Sequence, residues 1–231
     1  IPAPHGWDCQ GEMVYDFSPM RSGVRGYVWL FPAPGGRLNV GIMHHPTVSL
    51  GGTDLVGILV RTLRGYDVSL RPGDVRGWPA WGYSASRPLG APHVVLVGDA
   101  AGIDALTGEG IAVAMQQGAV AADCLLAAIK ADDLSFRGYR RALRRATVGR
   151  ELWLDGFLAR LLYSANGWRR WLPLMLYDEE MLELYAQRVG GGLILADHKW
   201  RLVSALARHL REWRTRRRRL ANLDDSIGAG N

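Results

Sequence analysis

The sequence predicts a mixed α+β / α/β chain: an antiparallel sheet, then one strand–Gly-Asp–helix unit, then a C-terminal helical region. Three observations carry that reading. Residues 26–43 alternate as two strands about a Pro34-Gly35-Gly36 turn. A short apolar run, Val94–Val97, breaks at Gly98-Asp99 and leads through a Gly/Ala-rich loop into a helical pattern that begins near Thr107. Beyond Lys130 apolar residues recur at helical spacing as far as Leu220. The expected organisation is a sheet with one or two helices over 1–90, the strand–helix unit over 91–132, helices over 133–220 and a flexible tail over 221–231.

Composition bounds the class. With 48% hydrophobic and 22% charged residues, the 231-residue chain is ordinary for a globular protein with a real core. Its net charge is +6, and Lys130 and Lys199 are its only lysines, so the basic side chains are nearly all arginine. Cys9 and Cys124 are far apart and match no metal or redox spacing. No unbroken apolar run reaches the ~18 residues of a membrane span, and no secretory signal opens the chain, so the expectation is a cytoplasmic protein.

Met13–Phe17 alternates weakly and Gly26–Phe31 strongly, with Tyr27, Trp29 and Phe31 on one face and Val28 and Leu30 on the other. On the returning strand, Arg37–Met43, Leu38, Val40 and Ile42 share one face, and Asn39, Gly41 and Met43 the other. If Gly41 lies across from the aromatic row, its missing side chain leaves volume beside flat apolar walls, which suits an extended hydrocarbon. A sheet that buries its aromatic face in a core explains the same alternation. His44 and His45 are adjacent and point to opposite faces, so they form no concerted pair. No catalytic residue is assigned. Thr53-Asp54 caps a helix carrying Leu55, Ile58, Leu59 and Leu63. The Gly- and Pro-rich stretch Tyr66–Pro92 reads as irregular with short strands, and Trp78 and Trp81 there are packing residues or flank a bound planar group.

Val94–Val97, bounded by Gly98, reads as a buried strand that delivers the Asp99 carboxylate to a sheet edge. The helix that follows presents unpaired N–H groups and its positive dipole end to the same crevice. Glycines at 98, 102, 108 and 110 let a bulky ligand approach the main chain. Taken alone, Gly98-Asp99 is equally what a capped turn looks like.

In the C-terminal region, Phe136–Arg150 is strongly basic with Tyr139, Leu143 and Ala146 as an apolar stripe, and Leu152–Leu162 continues it. Trp168–Gly190 forms a further segment, and Leu193–Leu220 a last amphipathic helix. Arg211–Arg219 holds six arginines and one glutamate, which reads as a solvated basic face or as a contact with an anionic membrane surface. Nucleic-acid binding is disfavoured, because no recognised binding fold accompanies the run.

The full string GDAAG (Gly98–Gly102), then LTGEGI (Leu106–Ile111) and an Ala/Gly-rich helix, resembles the second flavin motif of FAD-dependent oxidoreductases of the hydroxybenzoate-hydroxylase fold. The resemblance implies that Asp99 bonds a ribityl hydroxyl of FAD. It implies that Gly108 and Gly110 aim helix-start N–H groups at the C2 carbonyl side of the flavin ring. Gly98, Ala100, Gly102, Thr107, Glu109 and Ile111 complete the implied cofactor site. Many relatives carry Pro where this chain has Ala105. A second string, Tyr27-Val-Trp29-Leu-Phe31-Pro32 followed by Asn39-Val-Gly41, looks like the YxWxFP…GxG signature of geranylgeranyl reductases. That implies a prenyl-chain cavity shaped by Tyr27, Trp29, Phe31, Pro32 and Gly41, narrowed by Met43 at the place of the second Gly.

The implied whole is a partial FAD-binding flavoprotein fold that saturates carbon–carbon double bonds of a prenyl lipid or quinone chain, with hydride from reduced flavin. No strand–GxGxxG–helix unit precedes Gly98-Asp99, so the chain is expected to be the C-terminal portion of a longer protein. Two alternatives stay open: a monooxygenase or halogenase of the same fold, and an inactive truncated fragment.

Overall fold

The computed structural model describes residues 1–4, 7, 12–45, 54–164 and 166–228, with side chains as far as residue 213. Cys9, Thr53 and the side chains of Arg216–Arg219 lie outside the described residues.

Three strands, β1 (Val14–Asp16), β2 (Val28–Ala33) and β3 (Arg37–Ile42), form an antiparallel sheet in the order β1-β2-β3. The expected hairpin is present, with Trp29 paired to Gly41 and Tyr15 to Trp29. One face packs on helix α1 (Leu55–Arg64), whose first turn is capped where Gly57 N–H donates to Asp54 Oδ1 at 2.7 Å. Val28, Leu30 and Leu38 are buried there against Leu59 and Leu63. The core face of the sheet is thus the aliphatic one. The aromatic row occupies the opposite face, where Trp29 and Phe31 are only half-buried.

The predicted buried strand Val94–Val97 is corrected. Only Val94–Val95 (β5) pairs as a strand, antiparallel to Gly90–Ala91 (β4), and Val94 and Val97 are 49% and 38% exposed. Two-residue strands without further sheet neighbours cannot bury both faces.

A short 3-10 turn, Gly98–Ala100, leads by way of the 101–110 loop to α2 (Ile111–Ala131). Gln117, fully buried, ties the helix to that loop: Gly98 N–H donates to its Oε1 at 2.6 Å, and its Nε2 donates to the Gly102 carbonyl at 3.0 Å. Helix α3 (Tyr139–Arg145) closes the core beneath, where Tyr139 and Leu143 pack with Tyr83, Leu89, Ala101 and Ala121. The tight packing expected of α2 holds on this face alone, since Ile111, Met115, Leu126 and Ile129 are exposed. The expectation of no span-length apolar helix is also corrected: α2 is long and apolar enough to cross a membrane. An unbroken-run criterion stops at Gln116, Gln117 and Asp123, whereas the average over the helix absorbs them.

Helices α4 (Thr147–Leu162), α5 (Gly167–Tyr177), α6 (Glu179–Val189) and α7 (Lys199–Gly228) follow. They share a core of Leu174, Leu184, Leu195, Leu202 and Ala205. Asp155 and Glu151 on α4 hold Arg188 of α6 at 2.6 and 3.2 Å. The reading of Trp78 and Trp81 as packing residues fails. They are 84% and 60% exposed, and Trp81 instead carries the Arg87 guanidinium 4.4 Å above its ring.

Candidate functional site

Gly98 opens the site. Its φ of +60° lets the chain turn sharply after Val97, and Asp99 stands on the turn, exposed and without a hydrogen bond or ion pair among the described residues. Asp99 Oδ1 lies 3.4 Å from the point a Cβ on Gly110 would occupy. The carboxylate and the helix start therefore share one hollow. At that start, Ala112 N–H already donates to Glu109 Oε1 at 3.0 Å, while the amides of Ile111 and Val113 have no partner among the described residues. An exposed carboxylate beside free helix-start amides presents an acceptor and donors to one ligand, which is what a hydroxyl-bearing anionic cofactor needs.

Not every motif glycine faces that hollow. A Cβ on Gly102 would stand 2.6 Å from the Tyr83 Cα, so this glycine, with φ +101°, serves a backbone crossing rather than a ligand. Gly108 faces Met43 Cγ, which would be 3.9 Å from its Cβ. Ala100 and Ile111 are exposed near the turn and the helix start, respectively, and Thr107 is half-buried.

The loop between is held by groups that pattern reading missed. Asp104 is buried and accepts from Leu106 N–H at 2.6 Å, from Thr107 N–H at 3.3 Å and from the Thr107 hydroxyl. An Asp two and three residues before a turn's amides is a signal that could have been read. Tyr163 O–H donates to the Leu106 carbonyl at 2.6 Å, and His45 stacks on Tyr163 with ring centroids 5.4 Å apart. Burial lowers the His45 pKa, and burial followed by the charges of His45 and Arg25 lowers that of His44. His44 Nδ1 accepts from Arg25 N–H at 3.0 Å, a local structural contact.

The aromatic face of the sheet meets the same loop. Tyr27 O–H donates to the Thr107 carbonyl. Around Tyr27 the rings run continuously: Tyr15 at 5.2 Å, Phe17 at 5.6 Å and Trp29 at 6.3 Å between centroids, with Phe31 5.0 Å from Tyr15. Tyr15 and Phe17 were not expected in the wall; β1 alternates too weakly to display them. Burial, and next the Glu109 charge, push the Tyr15 phenol above its usual value, which sets Glu109 close to the wall. Burial raises the Tyr27 phenol further still, so it stays protonated.

The volume expected over Gly41 is absent. A Cβ there would fall 2.2 Å from Trp29 Cζ2, because the indole itself lies across the glycine and donates from Nε1 to Asn39 Oδ1 at 2.9 Å. An aromatic ring covers the exposed backbone of a strand glycine in place of a ligand. Pro32 continues the strand opposite Leu38, one residue beyond the Phe31–Asn39 pair. A separate apolar cavity of about 40 Å³ lies among α4–α7, lined by residues including Leu158, Trp171 and Leu184, with room for little more than a water molecule.

No family model matches the chain. It is 36% identical over 114 residues to a digeranylgeranylglycerophospholipid reductase of Thermoplasma volcanium, a match covering 48% of this chain and 28% of that protein. A menaquinone reductase of Mycolicibacterium smegmatis is 32% identical over 128 residues, covering 47% of this chain and 28% of that protein. The chain therefore matches little more than a quarter of the length of these curated relatives. A crystal structure of a geranylgeranyl bacteriochlorophyll reductase-like protein from Thermoplasma acidophilum aligns with 71% of this chain and 48% of that one, at 23% identity and a TM-score of 0.45. Over about half of its length the chain is thus similar in sequence to reductases of the geranylgeranyl reductase family.

Proposed function

We propose that this chain supplies part of an FAD-dependent reductase that saturates carbon–carbon double bonds in the prenyl chain of a lipid or quinone. The observation that supports it most is the shared hollow of Asp99 and Gly110 beside the aromatic row. Asp99 would hold a hydroxyl of the cofactor, and the amides of Ile111 and Val113 would face its electron-rich ring edge. Bound flavin supplies hydride chemistry. The chain's own residues do the rest. Asp104, Tyr163 and Tyr27 fix the loop that carries the helix start, and the rings of Tyr15, Tyr27, Trp29 and Phe31 give a polyene a dry surface to lie against.

The relatives' names support the substrate class: one acts on a digeranylgeranyl glycerophospholipid and another on menaquinone. The proposal extends to a cytoplasmic protein held at an anionic membrane surface, on the Arg211–Arg219 sequence alone.

The full-length protein that carries this chain is loaded with FAD, reduced without oxygen and offered a prenyl quinone. Loss of one double bond per flavin reoxidised supports the reading. Consumption of substrate only when oxygen is admitted points to a monooxygenase instead. A full-length protein that retains no FAD refutes the cofactor assignment.

A further inference from the structure

Residues 137–145 read RGYRRALRR, five arginines with no acidic residue among them. Helix α3 turns Tyr139 and Leu143 into the core and leaves Arg137, Arg140, Arg141, Arg144 and Arg145 exposed around a groove of about 480 Å³ that they alone line. Elsewhere in the helical region four arginines are matched to carboxylates, Arg150 to Asp197, Arg188 to Glu151 and Asp155, Arg201 to Glu180 and Glu183, and Arg208 to Asp178 and Glu180, while Arg169 and Arg170 lie over the rings of Trp168 and Trp171. None of the five groove arginines makes such a pair among the described residues. The carboxylate nearest in effect is Asp133, whose titration feels Arg137. Like charges at i and i+4 on a seven-residue helix repel one another, and an anion between them relieves that repulsion.

We propose that the α3 groove is a binding site for a phosphate-bearing anion, held by Arg140 and Arg144. Guanidiniums pair with phosphate oxygens in bidentate fashion, and a groove of this volume suits a small molecule with more than one phosphate rather than a single ion. The site lies on the outer face of α3 and does not depend on the flavin reading.

The test is calorimetric titration of the whole chain with inorganic diphosphate at low salt. Arg140→Gln/Arg144→Gln should weaken binding about tenfold or more, since charge-assisted bonds are lost. Arg61→Gln/Arg64→Gln, an equal charge change on α1, should leave affinity unchanged.

Sedimentation with phosphatidylglycerol and phosphatidylcholine vesicles separates the sources, the basic end of α7 being common to every variant. If the phosphate is a lipid headgroup, sedimentation with the anionic vesicles falls in Arg140→Gln/Arg144→Gln and is reversed by diphosphate. If it is a soluble molecule, vesicle binding is the same in variant and wild type while diphosphate affinity still falls. Equal losses in the two arginine pairs, or an unchanged diphosphate affinity in Arg140→Gln/Arg144→Gln, overturn the proposal.

Discussion

The carboxylate of Asp99 sits 3.4 Å from where a side chain on Gly110 would begin, although one residue closes a turn and the other opens a helix eleven positions later. Neither spends its polar groups on the other. Asp99→Ala should therefore change stability by less than about 0.5 kcal/mol, as for an exposed residue without partners, yet lower FAD retention about tenfold or more. Gly110→Ala puts a methyl 3.3 Å from Ile103 and against the carboxylate, so it should weaken FAD as well. Because the two substitutions disturb one hollow, their effects should fall short of additive in a double-mutant cycle read by flavin fluorescence.

Gln117→Leu tests the clamp between α2 and the loop. It would leave the Gly98 N–H and the Gly102 carbonyl buried and unpaired, at a cost of about 2–4 kcal/mol. Denaturant unfolding gives the magnitude. Faster hydrogen exchange at the Gly98 amide would assign it to that bond, and an unchanged midpoint would mean that the two groups have other partners.

Gly41→Ala should be destabilising by about 1–3 kcal/mol, because the indole of Trp29 must swing off the strand and release Asn39. Loss or displacement of the Trp29 indole N–H resonance checks the cause. An unshifted resonance would show that the ring does not depend on the missing side chain.

Asp155 predicts a pH dependence. Burial first, and then the Asp104 charge, raise its carboxyl to about 7, against the pull of Arg188. The folded state therefore binds a proton that the unfolded state has already lost, and stability falls as pH rises from about 4 to about 7, by up to about 1 kcal/mol per unit. Asp155→Asn should flatten that slope. Subtracting its profile from the wild-type one removes the opposite contribution of His44 and His45, whose lowered values favour higher pH.

Several of these features were legible in the sequence because they are local. Alternation about Pro34-Gly35-Gly36 gave the hairpin, and with it the facing of Trp29 and Gly41. The glycine-punctuated stretch after Asp99 pointed to a helix start near where α2 begins, at Ile111. What alternation could not say is which sheet face meets a core; that depends on where α1 lands, and it lands on Val28 and Leu30. Nor could it tell that Trp29 would fill the gap above its own partner. Gln117 was invisible for a related reason. A glutamine inside an Ala-rich helix looks solvated until the tertiary contacts that bury it are known. Val94–Val97 misled because an apolar run reports hydrophobicity, not the sheet neighbours that would cover it.

Tyr27 belongs to two structures at once, its ring to the aromatic row and its hydroxyl to the carbonyl of Thr107. A molecule wedged against that ring must therefore tug on the backbone that leads into α2, and a molecule seated at the helix tip must stiffen the ring. Such coupling runs equally in both directions. Occupancy at either place would register at the other, and a single phenol is the mechanical joint through which they would sense each other.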